Sequence, residues 1–252
     1  VLRSALTALL ELLVSAFGDR PAVSLSFRCS VMKLHLGSLP AEQLAIWYAF
    51  EDSDLAGFTL YGGTALALRY GHRLSVDFDF FTNLEVTPEI IHQRLPWLEK
   101  HFESTLQLGA NTFVFSTRAP NCESRSTVKL SFFGNLNLPV LEAPSIAANG
   151  VALASTRHLL ATKLKVINQR IEAKDYIDVA EILKCNDHPA RILEKGLADM
   201  KAMFSEAAPA ETLKALCWFH GGDLDVLESP IKQFLESTVK AVGTLPGSSL
   251  VD

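Results

Sequence analysis

Phe58-Thr59-Leu60-Tyr61-Gly62-Gly63-Thr64-Ala65-Leu66-Ala67-Leu68 is followed, after four intervening residues, by Arg73-Leu74-Ser75-Val76-Asp77-Phe78-Asp79-Phe80-Phe81. The first stretch reads as a strand over 58–61, two glycines, and a helix over 64–70. Glycines at such a junction let the backbone approach a ligand closely, and free N–H groups at the helix start favour an anion such as a triphosphate. Thr64 would add a hydroxyl to a phosphate oxygen. The same residues also suit a tight turn that packs the helix on a sheet, with Thr64 as its N-cap. A short glycine motif does not choose between the two.

The second stretch reads as a strand over 76–81. Alternation sends Asp77 and Asp79 to one face and Val76, Phe78 and Phe80 into the core. Two carboxylates pinned side by side repel each other unless a cation lies between them. Mg²⁺ suits that task, because it takes one or two carboxylates together with substrate phosphates and waters. The alternative is an exposed edge with two solvated aspartates, against which stands the apolarity of the opposite face. A phosphate-binding turn and a metal-binding strand joined by one short helix would meet in a single cleft.

Outward from this segment, 41–55 carries Leu44, Trp47, Tyr48 and Leu55 at helical spacing after Pro40. Pro88 opens a helix to about residue 100, kinked at Pro96. Strand-like runs follow at 102–108, 111–117 and 126–133, with Ala119-Pro120-Asn121 as a turn between the last two. From Ser155 the pattern changes to helices over 155–171, 174–185, 189–204, 209–220 and 230–241. A mixed sheet-and-helix half followed by a helical half is an α+β arrangement. The expected division is 32–150 for the sheet-bearing core, 151–242 for the helical part and 243–252 for a frayed tail. Residues 1–31 are set aside as an upstream extension, since Met32 resembles a natural start. Their apolar run over 6–17 contains Glu11 and is too short for a membrane span, although Arg3 ahead of it leaves a weak signal-peptide reading open.

The 252 residues are 48% hydrophobic with mean hydropathy +0.20, which suits one globular domain or a domain with a helical extension. A net charge of -5 and a pI of about 5.8 give no overall basic footprint, so contact with RNA would need a local patch. Cys29, Cys122, Cys185 and Cys217 lie far apart and read as buried or inert thiols in a reducing compartment. None of the seven histidines has metal-ligand spacing with another, and no serine or cysteine has the local context of a nucleophile.

In the helical half, positions 159, 160, 163, 166, 167 and 170 share a stripe, so Lys163 and Arg170 interrupt an apolar face made by Leu159, Leu160, Val166 and Ile167. Asp175 and Asp178 share the next helix's face with Val179 and Ile182. Buried charges need partners. Either the cations reach a rim or face an anion in a cleft, or Arg170 bonds Asp175 or Asp178 and locks the helices together. Asp175 would also suit a helix start.

Gly62–Leu68, His72–Asp79 and Lys163…Arg170…Lys174-Asp175-Tyr176-Ile177-Asp178 resemble the glycine, paired-acid and Lys…Arg…Lys/Arg-Asp-x-x-Asp patterns of the AbiEii/AbiGii-type nucleotidyltransferases. These belong to the DNA polymerase β-like superfamily, and the resemblance spans about residues 40–185. It implies a nucleotidyltransferase core, a mixed sheet with flanking helices, followed by a helical half that completes the cleft. The implied reaction transfers a nucleoside monophosphate from an NTP to an acceptor hydroxyl. Asp77 and Asp79 would hold Mg²⁺ or Mn²⁺, and Gly62, Gly63, Thr64, Arg73, Ser75 and Lys163 would bind the nucleotide. Arg73 is equally suited to pairing with a nearby carboxylate. Lys163 and Asp175 are associated with activity, with Arg170, Lys174 and Asp178 in support and Asp178 as the partner of Arg170.

By the same resemblance the acceptor would be RNA, with tRNA as the family precedent, and the protein a cytoplasmic type IV toxin with a cognate antitoxin and no membrane association. Arg69, His72, Arg73, Arg157, Lys163, Lys165, Arg170 and Lys174 would form the local positive surface. One departure stands out. Polymerase β-like sites usually carry a third acid on a neighbouring strand, and the matching strand Thr127–Phe133 has Ser131 at that position, beside Lys129 on the same face. Either Asp175 supplies the base, or no base is needed, or nucleotide is bound without turnover. Two further readings follow: transfer to a small molecule such as an aminoglycoside, and a nucleotide-binding pseudoenzyme with a regulatory role.

Overall fold

The strand bearing the two aspartates lies in the middle of a seven-stranded sheet. The computed structural model describes residues 33–124, 126–243 and 245. Expectations for residues 1–31, for Cys29 and for most of the tail lie outside the described residues. The strands are β1 (Thr59–Tyr61), β2 (Asp77–Phe81), β3 (Phe102–Gly109), β4 (Thr112–Arg118), β5 (Thr127–Phe133), β6 (Ser145–Ile146) and β7 (Ala152–Leu153). Their order is β3-β4-β5-β2-β1-β7-β6. The sheet is mixed: β2 runs parallel to β5 and antiparallel to β1, while β1 runs parallel to β7. The two-residue strands β6 and β7 escape sequence reading because alternation needs a longer run to register.

One face of the sheet is an aromatic layer. Phe80 stacks on Phe132 at 5.1 Å, and Phe132 on Phe115 at 6.0 Å. Phe50 stands edge-on to Phe78 and Phe80 at 5.2 and 5.4 Å. All five rings are buried, and each contributes roughly 1.5–3 kcal/mol by leaving water. This anchors β2 and fixes which way its alternate residues point. Val76 departs from expectation. It precedes the first residue of β2 and is 55% exposed at the cleft mouth, so the strand's pleat does not govern it.

Helix α1 (Ala41–Ala49) buries Ile46 and Trp47 rather than Tyr48, and it ends before a 3-10 turn at Phe50–Asp52. α2 (Gly62–Tyr70) starts at the first glycine, two residues earlier than expected, and stops at Gly71 in the left-handed conformation (φ 66°). The helix opened by Pro88 is two pieces, α3 (Pro88–Arg94) and α4 (Leu98–His101), because Pro96 cannot donate to the ladder.

The helical half contains α5 (Thr156–Ile167), α6 (Ala173–Lys184), α7 (Pro189–Met203), α8 (Pro209–Leu216) and α9 (Ser229–Lys240). Ser155 caps α5 by accepting from the His158 N–H. Both α5 and α6 pack on α2, which brings Lys163 and the aspartates of α6 behind the glycine turn. Among the described residues no helix is long and apolar enough to cross a membrane.

Candidate active site

The acidic face of β2 forms the floor of a cleft of about 620 Å³. Its walls include Gly62, Gly63, Thr64, Arg73, Ser75, Asp77, Asp79, Lys129, Ser131, Lys163, Arg170 and Lys174, together with the apolar Leu74, Val76, Leu106, Val114 and Phe133. The glycine turn, the paired acids and the two interrupting cations of the helical half therefore meet in one place. Asp175 and Asp178 do not line it. Both are fully buried behind it.

The glycines are required by what stands against them. Gly62 has φ 71°, and a Cβ there would lie 2.6 Å from Asp79 Oδ2. A Cβ on Gly63 would overlap Arg73 Nη2 and lie 3.4 Å from Ser75 Oγ. Arg73 cannot swing aside cheaply, because Asp178 holds it at both Nε and Nη2. The first turn of α2 thus enters the cleft with N–H groups that have no acceptor inside the helix. Thr64 does not cap it: the cap position is Tyr61, and the Thr64 hydroxyl instead joins Ser75 Oγ at 2.8 Å and donates to the Asp77 carbonyl. Thr64 and Ser75 together tie α2 to the start of β2, and both are buried.

On the floor, β2 and β5 run in register, Asp77 beside Lys129 and Asp79 beside Ser131. Lys129 Nζ lies 3.0 Å from Asp77 Oδ2. Burial pushes the Asp79 carboxyl up from its ordinary value. A hydrogen bond from Ser131 and the charge of Lys129 oppose that rise, and the Asp77 charge adds to it. A partly desolvated carboxylate beside another is a site short of positive charge. Among the described residues no group of three or more His, Cys, Asp and Glu is placed to hold a metal. The donor set is two carboxylates, which fits Mg²⁺ completed by water and phosphate oxygens better than a protein-only cage.

Behind the floor lies a closed charge network. Lys163 Nζ reaches Asp175 Oδ1 at 2.6 Å and Asp178 Oδ2 at 2.7 Å. Arg170 bonds Asp175 through Nε at 2.9 Å and Nη2 at 3.3 Å. Arg73 holds Asp178 through Nε at 2.7 Å and Nη2 at 2.8 Å, and His72 Nε2 lies 2.7 Å from the same carboxylate. Burial alone would raise both acids. The Arg170 hydrogen bonds and the Lys163 charge bring Asp175 below its ordinary value, and His72, Arg73 and Lys163 bring Asp178 far below it.

Three expectations change here. Arg170 pairs with Asp175, not Asp178, whose partners are Lys163 and, from the loop after α2, His72 and Arg73. Asp175 is too buried, and too firmly held as a carboxylate, to take a proton from an acceptor. The eight basic residues do not form one surface. Arg73, Lys163, Arg170 and Lys174 line the cleft, while Arg69 bonds the Ala154 carbonyl, Arg157 pairs with Asp199, Lys165 pairs with Glu206, and His72 is buried on Asp178. Lys129 is the cleft cation absent from that set. Strand alternation puts it on the acidic face, but only the β2–β5 register reveals its partner. The thiols of Cys122, Cys185 and Cys217 are free, and Cys185 is exposed.

Comparison with known proteins gives the family and the fold. The family model for the nucleotidyl transferase AbiEii toxin of type IV toxin–antitoxin systems matches residues 45–216. An uncharacterized protein of Aquifex aeolicus is 27% identical over 198 residues, covering 73% of this chain and 86% of that protein. JHP933 of Helicobacter pylori shares the fold with a TM-score of 0.50 and 17% identity, over 80% of this chain and 91% of that one. The nucleotidyltransferase toxin MenT4 of Mycobacterium tuberculosis superposes with a TM-score of 0.47 at 13% identity, over 80% of this chain and 93% of that one.

Proposed function

Because the chain belongs to the AbiEii family of nucleotidyltransferase toxins, we propose that the cleft above β2 is where it moves a nucleoside monophosphate from an NTP to an RNA hydroxyl, with tRNA as the acceptor. The observation that carries this is the convergence of Gly62-Gly63, Asp77, Asp79 and Lys163 on one cleft although they come from both halves of the chain. On this reading 32–150 is the transferase core and 151–242 completes the cleft.

The first-turn amides of α2 and the third N–H of Lys163, two being used by Asp175 and Asp178, hold triphosphate oxygens. Asp77 and Asp79 would hold Mg²⁺ (or Mn²⁺), whose contribution when bound is to neutralise charge on the triphosphate. The acceptor oxygen bonds to the α-phosphorus as the α–β phosphoanhydride bond breaks, and the bonding pair leaves with pyrophosphate. Ser131 is no base at neutral pH and Asp175 is out of reach, so the hydroxyl proton passes to solvent. Arg170 and Asp178 position Lys163 and Arg73 rather than touching substrate.

Charge favours a polyanionic acceptor over a cationic drug. On the cleft wall itself five cations (Arg73, Lys129, Lys163, Arg170, Lys174) stand with two carboxylates (Asp77, Asp79), while the balancing Asp175 and Asp178 lie buried behind it and Glu172 pairs with Lys174. A toxin acting on tRNA works in the cytoplasm and needs a cognate antitoxin. Ser131 motivates the second reading, nucleotide binding without turnover.

The test is transfer of α-³²P label from each NTP to total bacterial RNA with Mg²⁺, comparing wild type with Asp79→Ala and Lys163→Ala. Label on a tRNA-sized band, lost in both variants, is the expected result. Nucleotide binding with no label transferred to any RNA would sink the reading and leave the non-transferring one.

A further inference from the structure

Two divalent cations bracketing a reacting phosphorus need enough carboxylates for both. The cleft floor has two, and one is already engaged. Asp77, Asp79, Lys129 and Ser131 form a two-by-two array fixed by the β2–β5 register. Lys129 Nζ is 3.0 Å from Asp77 Oδ2, with side-chain exposures of 41% and 33%, so the pair sits at the cleft surface and not in the core. The charge of Lys129 also reaches Asp79. Two carboxylates and one ammonium leave the array with one net negative charge. A first divalent cation takes up the remaining carboxylate oxygens, and a second would have to be held by triphosphate oxygens alone, beside an ammonium already fixed on Asp77.

The geometry points to Lys129 as the fixed occupant of the second cation's place, so that this site works with a single divalent cation bound by Asp79 and the remaining oxygen of Asp77. The inference rests on the nucleotide-transfer reading. Ser131 then has a physical sense: with an ammonium already beside Asp77, a third carboxylate has no second metal to serve. An ammonium is a compact point charge with three donors. One is used by Asp77. Lys129 is a charge-balancing and positioning residue.

The full chain is titrated with Mn²⁺ in the presence of saturating α,β-methylene NTP. Free Mn²⁺ is followed by electron paramagnetic resonance, and nucleotide binding is read separately with a fluorescent analogue. Wild type and Lys129→Arg are expected to bind one Mn²⁺ per chain. Lys129→Met, a change at a half-exposed position that the core tolerates, is expected to keep nucleotide binding and to hold Mn²⁺ about tenfold more tightly as Asp77 is released. Two tightly bound Mn²⁺ in wild type, or an unchanged Mn²⁺ affinity in Lys129→Met, overturns the inference while leaving the transfer reading standing. Failure of wild type to bind nucleotide overturns both.

Discussion

The molecule holds two pairs of aspartates, and it treats them in opposite ways. Asp77 and Asp79 lie two apart on a strand and face an open cleft. Asp175 and Asp178 lie three apart on a helix and are sealed behind it. The helical pair receives three cationic side chains, from Lys163, Arg170 and Arg73, and the His72 imidazole at hydrogen-bonding distance, and both carboxyls titrate below their ordinary value. The strand pair receives Lys129 at Asp77 and a hydroxyl at Asp79, and the Asp79 carboxyl titrates above its ordinary value. A carboxylate whose charge is fully compensated by its own chain is structural. One left short of positive charge in a cleft is waiting for a cation from outside.

The largest expected effect breaks the comparison into two separate losses. Asp79→Ala should lower label transfer by on the order of 10³-fold, about 4 kcal/mol of transition-state stabilisation, while leaving thermal stability near wild type. Asp178→Asn should do the reverse. Removing one member of a buried charge network costs about 3–5 kcal/mol, so its unfolding midpoint falls sharply, while transfer per folded molecule at low temperature falls far less. Equal loss of stability in both variants would show that the two pairs do not divide the work this way.

This division is only half legible in the chain. The strand pair can be read from alternation alone, because Phe78 and Phe80 fix one face of β2 and leave Asp77 and Asp79 no other direction. The glycine turn is equally local. The helical pair is not, because two of its partners, His72 and Arg73, come from more than a hundred positions away. Spacing reveals that Lys163, Asp175 and Asp178 share a buried layer with Arg170 at its rim, but not that His72 and Arg73 reach Asp178 and leave Arg170 to Asp175. The basic patch fails for the same reason: Arg69, Arg157 and Lys165 look exposed in a helical projection, and only tertiary packing supplies the groups that absorb them. Lys129 falls between the two cases, since its face is legible and its partner depends on register.

Ligand-dependent stability sharpens the contrast at intermediate size. Mg²⁺ with an unreactive NTP analogue at about one hundred times its dissociation constant should stabilise wild type by roughly 2.7 kcal/mol. Asp77→Ala and Asp79→Ala should lose most of that increment. Asp178→Asn, starting from a lower midpoint, should retain a substantial part of it. Differential scanning fluorimetry with and without the ligand pair measures each increment. An increment preserved in both strand variants would place the cation elsewhere.

The smallest effect is one of sign. The folded-state value of Asp79 is raised above its ordinary 3.8, so its contribution to stability is most favourable below that value and is lost as pH rises through the folded one. Asp178 is depressed from the same 3.8, so its contribution is complete above that value and is lost only as pH falls towards the folded one. In urea denaturation without divalent cations, Asp79→Asn should therefore be slightly more stable than wild type at neutral pH. The gain, on the order of 0.5 kcal/mol, should shrink as pH falls towards about 4. The deficit of Asp178→Asn should stay flat across the same range. Adding Mg²⁺ and the NTP analogue should abolish the Asp79→Asn gain, because the ligand removes the electrostatic cost that the amide avoids. A gain that grows on acidification, or survives the ligand, would mean that Asp79 is already compensated and that the cleft is not short of a cation.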